Sequence, residues 1–160
     1  MFAETLAGIA LVKSAVDGIK SAIGTAKDIS EIADDIDEER MKNITVDDIK
    51  PICRTNYWER CRCQNLPSGV DWAAFDWAVN SGPGKAAKAL QRAVGAYEDG
   101  AVGPQTLMAV TASQPHEIIN RIAVHRDSYY RSLGHFDKFG KGWIRRNDEN
   151  TKQTIDMGRG

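Results

Sequence analysis

The stretch FDWAVNSGPGKAAKAL, Phe75 to Leu90, decides how this sequence folds. Its first half is as apolar as a buried helix, and it stops abruptly at Asn-Ser-Gly-Pro-Gly. Val70 to Asn80 reads as one helix, with Trp72, Phe75, Ala78 and Val79 facing inward. Pro83 suits the first turn of a new helix, Gly84 to Val94, which Gly95 stops. Two helices therefore meet at a glycine corner. Asp76 complicates the picture, because Trp72, Asp76 and Asn80 fall one turn apart on a single stripe. Two readings stand side by side. One is a plain helix–turn–helix corner with Asp76 bonded to nearby backbone. The other is a helix that reaches a cleft, where glycines let a ligand approach the backbone.

Outward from this corner, short helices follow one another with clear punctuation. Thr45 and Asp48 form a capping pattern that opens a helix over Val46 to Cys53, and Pro51 is expected to bend or end it. Thr55 to Gly69 is mixed and closes with loop chemistry at Pro67 and Gly69. Asp99-Gly100 marks a turn. Gly103-Pro104 starts a helix through Val110, Ser113 and Pro115 start a longer one to about Leu133, and Lys141 to Ile155 is again helical in pattern. No useful run alternates with period two. The expected fold is all-α.

Residues 1–40 read as a segment apart from 41–160. Ile9, Val12, Val16, Ile19, Ile23, Ala26, Ile29, Ala33 and Ile36 recur at three- and four-residue steps, the pattern of one long amphipathic helix. Gly8, Gly18 and Gly24 favour close approach of a partner at about 1 kcal/mol each in helix propensity. With no aromatic after Phe2, this helix needs a surface to dock on, either the rest of the chain, a second copy or another protein.

Composition excludes several classes. A net charge of −1 gives no bulk electrostatic case for nucleic acid or an anionic membrane. The longest early apolar run, Leu6 to Val12, is far too short to span a membrane and lacks the flanks of a signal peptide. Synthesis in the cytoplasm without a signal peptide is the corresponding expectation. Cys53, Cys61 and Cys63 form no disulfide framework, and no histidine lies near them in sequence, so reduced thiols without metal or other cofactor are expected.

Leu90 to Val110 resembles the peptidoglycan-binding signature in which a Leu-Gln helix leads to Asp-Gly and then Gly-Pro-x-Thr-Leu. Here these are Leu90-Gln91, Asp99-Gly100 and Gly103-Pro104-Gln105-Thr106-Leu107. One helix, a turn requiring glycine and a proline-started helix explain the spacing, with Thr106 placed to bond backbone locally. TNYWERCRC, LPSGVDWAAFDWAVNSGPGKAAKALQRAVG, DGAVGPQTL and FGKGWIRRNDE stand in the order seen in the family-108 glycoside hydrolases, phage and bacterial lysozyme-like muramidases. The resemblance covers about Ile44 to Glu149. It implies a lysozyme-like helical domain, with the long N-terminal helix added, and makes the Asp76–Asn80 helix a wall of a glycan cleft.

The resemblance also implies a catalytic Glu in an N-terminal Glu-Gly-Gly segment, and no Glu-Gly-Gly occurs here. A muramidase needs a carboxylic acid of raised pKa beside the scissile bond. Substitute candidates are Glu31, Glu38 and Glu39, whose neighbours Asp34, Asp35 and Asp37 would raise their pKa by like-charge repulsion; a solvated acidic run explains them equally well. Asp76 is a further candidate. Tyr57, Trp58 and Trp143 have faces suited to stacking on pyranose rings or to anchoring a core. With Asp76, Asn80, Ser81 and Gly82 they make the expected substrate-binding set. Lys141, Arg145 and Arg146 flank Trp143 and would meet peptidoglycan carboxylates, or serve as surface charges. Three functions follow: a peptidoglycan-binding module related to phage endolysins that has lost hydrolysis, an active muramidase with a substitute acid, or a virion or self-associating protein that uses residues 1–40. Each acts at the bacterial cell wall or on a phage particle.

Overall fold

The computed structural model describes residues 45–159, and every regular element in that range is helical. They are α1 (Val46–Cys53), a π-helical turn (Arg54–Trp58), a 3-10 turn (Cys63–Asn65), α2 (Val70–Ser81), α3 (Pro83–Val94), α4 (Pro104–Thr111), α5 (Pro115–Arg131) and α6 (Phe136–Gly158). This is the helical architecture expected of a lysozyme-like domain. The amphipathic segment 1–40 lies outside the described residues.

Local chemistry sets the boundaries. Thr45 caps α1 reciprocally: the Asp48 amide donates to its Oγ1 at 3.3 Å, and its own amide donates to Asp48 Oδ2 at 2.9 Å. Pro51 does not end α1; the helix runs through it, and the backbone then widens so that the Glu59 amide reaches the Arg54 carbonyl at 2.8 Å. Gly69 precedes α2 at φ +87°, and a Cβ there would lie 2.1 Å from the Thr154 carbonyl oxygen of α6. Only glycine lets the chain press so close to that helix. Helix α6 starts earlier than the expected Lys141, because its glycines interrupt the sequence pattern. At Gly140 the missing side chain makes room for the Phe136 ring, 2.6 Å from where a Cβ would stand.

Helix α2 is central rather than one-sided. Val70 and every residue from Trp72 to Ala78 are buried. Trp58, Trp72 and Phe75 meet edge to face at 5.2 to 5.6 Å, sealing α2 against the π-helical turn. Alanines 86, 87, 89 and 93 and Leu90 of α3 pack from a second side. Ile118, Ile119 and Ile122 of α5 are also buried in this core. Each large apolar side chain so enclosed contributes about 1.5–3 kcal/mol.

Candidate functional site

The corner between α2 and α3 is built by Gly82, at φ 94° and ψ 148°, which ends one helix and caps the next. A side chain is rarely tolerated in that conformation. Asn80 is exposed there, while Ser81, Gly82 and Pro83 are half-buried. The Asn80 amide turns back and donates to the Asp76 carbonyl at 2.6 Å. One end of α2 thus presents a short polar edge to solvent.

Asp76 lies beneath that edge, 2% exposed. Its Oδ2 pairs with Arg126 of α5 at 2.6 Å, and its Oδ1 accepts from Arg146 of α6 at 2.9 Å. Arg126, itself 1% exposed, also donates to the Tyr130 hydroxyl at 2.8 Å. Burial alone would raise the Asp76 carboxyl, but the two guanidinium groups outweigh it and hold the group below the usual carboxylate range. In place of the bond to nearby backbone that the plain-corner reading gives Asp76, the structure shows ion pairs to two distant helices. Arg146 meets this carboxylate with a side chain that is 25% exposed, so it is not a free surface charge.

The aromatic candidates divide. Trp58 is 6% exposed and its ring is enclosed by Trp72 and Phe75, which makes it a core anchor in this structure. Tyr57 is half-buried and packs against the same core. Trp143 is half-buried on α6, with Tyr130 and Phe139 at 5.6 and 5.8 Å. Glu31, Glu38 and Glu39 lie outside the described residues. The three cysteines are free and buried. Among the described residues no three His, Cys, Asp or Glu side chains gather to hold a metal, and no helix is long and apolar enough to cross a membrane.

Sequence reasoning missed a second carboxylate on the same helix. Asp71 begins α2 half-buried, and its Oδ1 accepts from the Gly69 and Trp72 amides at 2.9 and 2.7 Å. Burial pushes it up to about 6, against the pull of those two hydrogen bonds. Its place in the first turn of an apolar helix was the available signal.

The Leu-Gln, Asp-Gly and Thr-Leu residues converge on a single knot. Gln91, 1% exposed, donates to Asp99 Oδ1 at 2.7 Å, the Ala101 carbonyl at 3.0 Å and Thr106 Oγ1 at 3.2 Å, and it accepts from the Gly100 amide at 3.0 Å. Thr106 therefore serves Gln91 rather than local backbone. Two clefts, of about 410 and 420 Å³, lie elsewhere, between the start of α5 and the end of α6 and along α6 itself. Neither contains a residue of the expected site.

Comparison with known proteins fits this division. Residues 4–82 match the model of glycosyl hydrolase 108, and residues 85–148 match a predicted peptidoglycan domain. The first match begins well ahead of Ile44, where the recognisable motifs start. The two matches meet at the α2–α3 corner, and Asp76 on one side pairs with Arg126 and Arg146 on the other, so both segments share one core. The structure of SagA from Brucella abortus superposes with a TM-score of 0.74 at 36% identity, over 78% of this chain and 72% of that one. None of the curated proteins compared is a significant match. With that identity and coverage, and with its matched segments joined through one buried carboxylate, the chain belongs to the glycosyl hydrolase 108 family.

Proposed function

We propose that this protein binds peptidoglycan at the bacterial cell wall and does not hydrolyse it. The observation that carries the reading is the state of Asp76. In a domain without a Glu-Gly-Gly segment, the acid beside the exposed corner is ionised, buried and locked between Arg126 and Arg146. A carboxylate held below the usual range has no proton to give a leaving oxygen at neutral pH. What it does instead is fix α2 against α5 and α6, so that Asn80, Ser81 and Gly82 stand as a rigid edge for a glycan strand. Tyr57 and the partly open Trp143 would add secondary contacts to the glycan, and Trp58 supports α2 from the core.

Pelleting with purified, insoluble peptidoglycan tests this. The wild-type protein should co-sediment, and N80A together with W143A should weaken binding while leaving the melting temperature within a few degrees. Failure of the wild-type protein to pellet would overturn the reading.

Asp71 favours a second reading, an active muramidase. A half-buried carboxyl pushed up to about 6 has the character of a general acid, and among the described residues its Oδ2 makes no hydrogen bond. It stands at the end of α2 opposite the corner, about 14 Å away along a helix rising 1.5 Å per residue. A substrate would therefore have to approach that end of the helix, and the binding reading is preferred. The endolysin reading rests on the family resemblance, and the virion reading on residues 1–40.

A further inference from the structure

Tyr97 is the most exposed of the large apolar side chains described, at 84%, above Met108 at 72%. Among the described residues its ring makes no aromatic contact and its hydroxyl no hydrogen bond. Such a residue would be unremarkable on a loose loop, but this loop is fixed on both sides. Before Tyr97, the Ala96 amide donates to the Gln91 carbonyl at 2.8 Å, closing α3. After it, Glu98 receives a two-pronged bond from Arg92, at 2.9 and 2.7 Å. The Tyr97 carbonyl accepts from the Asp99 amide at 3.1 Å, and Asp99 is itself held by the buried Gln91. The backbone carrying the ring is thus set by the same knot that organises the predicted peptidoglycan domain.

Nothing in the fold requires an aromatic at this point, since the ring buries little of its surface. A rigidly mounted ring in water is a platform for another flat apolar face, and a tyrosine loses only two side-chain rotations on binding. The apolar face of a pyranose ring has the matching shape, and its rim of hydroxyl and N-acetyl groups calls for polar partners nearby. Arg92 and Glu98 supply donors and acceptors beside Tyr97, and His125 of α5 lies within electrostatic reach of both.

We propose that Tyr97 is a stacking platform for a sugar ring of the glycan strand, a contact point separate from the α2–α3 corner, with the Arg92–Glu98 pair bonding the sugar rim. This rests on the peptidoglycan-binding reading, and its test is arranged so that the two fail separately. Y97A, Y97F and Y97W would be compared with wild type in pelleting on purified peptidoglycan, with thermal unfolding alongside. Y97A should weaken binding about fivefold or more without moving the melting temperature, while Y97F and Y97W stay within about twofold of wild type, because stacking needs the ring and not the hydroxyl. Wild-type pelleting that Y97A leaves unchanged would overturn the platform and spare the binding reading. A loss in Y97F as large as in Y97A would overturn stacking in favour of the hydroxyl. Absence of wild-type pelleting would overturn both.

Discussion

Helix α2 carries two carboxylates little more than one turn apart, and they have opposite fates. Asp71, at the N-terminal end, is half-buried with two backbone amides for company, and desolvation leaves its proton more tightly held than usual. Asp76, in the interior, is more deeply buried, yet it gives its proton up more readily because two arginines face it. Depth alone therefore does not decide which carboxyl can act as an acid. The charge opposite it does. In this chain the carboxylate nearer the exposed corner is the one paired with two arginines, and it joins the two matched segments.

The comparison breaks most visibly at Asp76. D76N would leave Arg126 buried without its counter-charge and should cost about 3–5 kcal/mol, with a clear fall in melting temperature measured by calorimetry. A loss below about 1 kcal/mol would mean that the joint holds little together. D71N should behave differently. The Asp71 pKa is raised on folding, so its protonation stabilises the native state fully below about 4, and this is lost as pH rises through about 6. Urea unfolding should therefore show a component of stability that falls by about 1–3 kcal/mol over that window, and D71N should flatten it. Asp76 contributes in the other direction: its stabilisation is present above the ordinary carboxylate range and is lost as pH falls through its lowered value. D76N should correspondingly weaken the acid limb of the same curve. The smallest effect belongs to R146M. That side chain is 25% exposed and Arg126 still faces Asp76 after its loss, so about 1–2 kcal/mol is expected, well below R126M, which should approach D76N.

Much of the architecture was legible because it is written locally. Thr45 and Asp48 announced α1, Pro83 and Gly82 announced the corner, and Gly95 announced the end of α3. The start of α6 was not, since Gly140 reads as an interruption until the Phe136 ring is seen lying over it. The site was less legible than the fold. The partners of Asp76 stand far along the chain on α5 and α6, and no spacing rule connects them. One clue was present. Arg126 follows Ile118 and Ile122 at four-residue steps, a charge on an apolar stripe, and a buried cation requires an anion. Trp58 and Trp143 share a residue type and differ only in what surrounds them, which sequence does not display.

The most direct measurement is release of reducing ends from purified peptidoglycan between pH 4 and 7, with wild type, D71N and D76N in parallel. The account predicts co-sedimentation of the wild-type protein with no release above background at any pH. Release that is maximal near pH 5–6 and abolished by D71N would contradict it, and would make Asp71 the acid of an active muramidase.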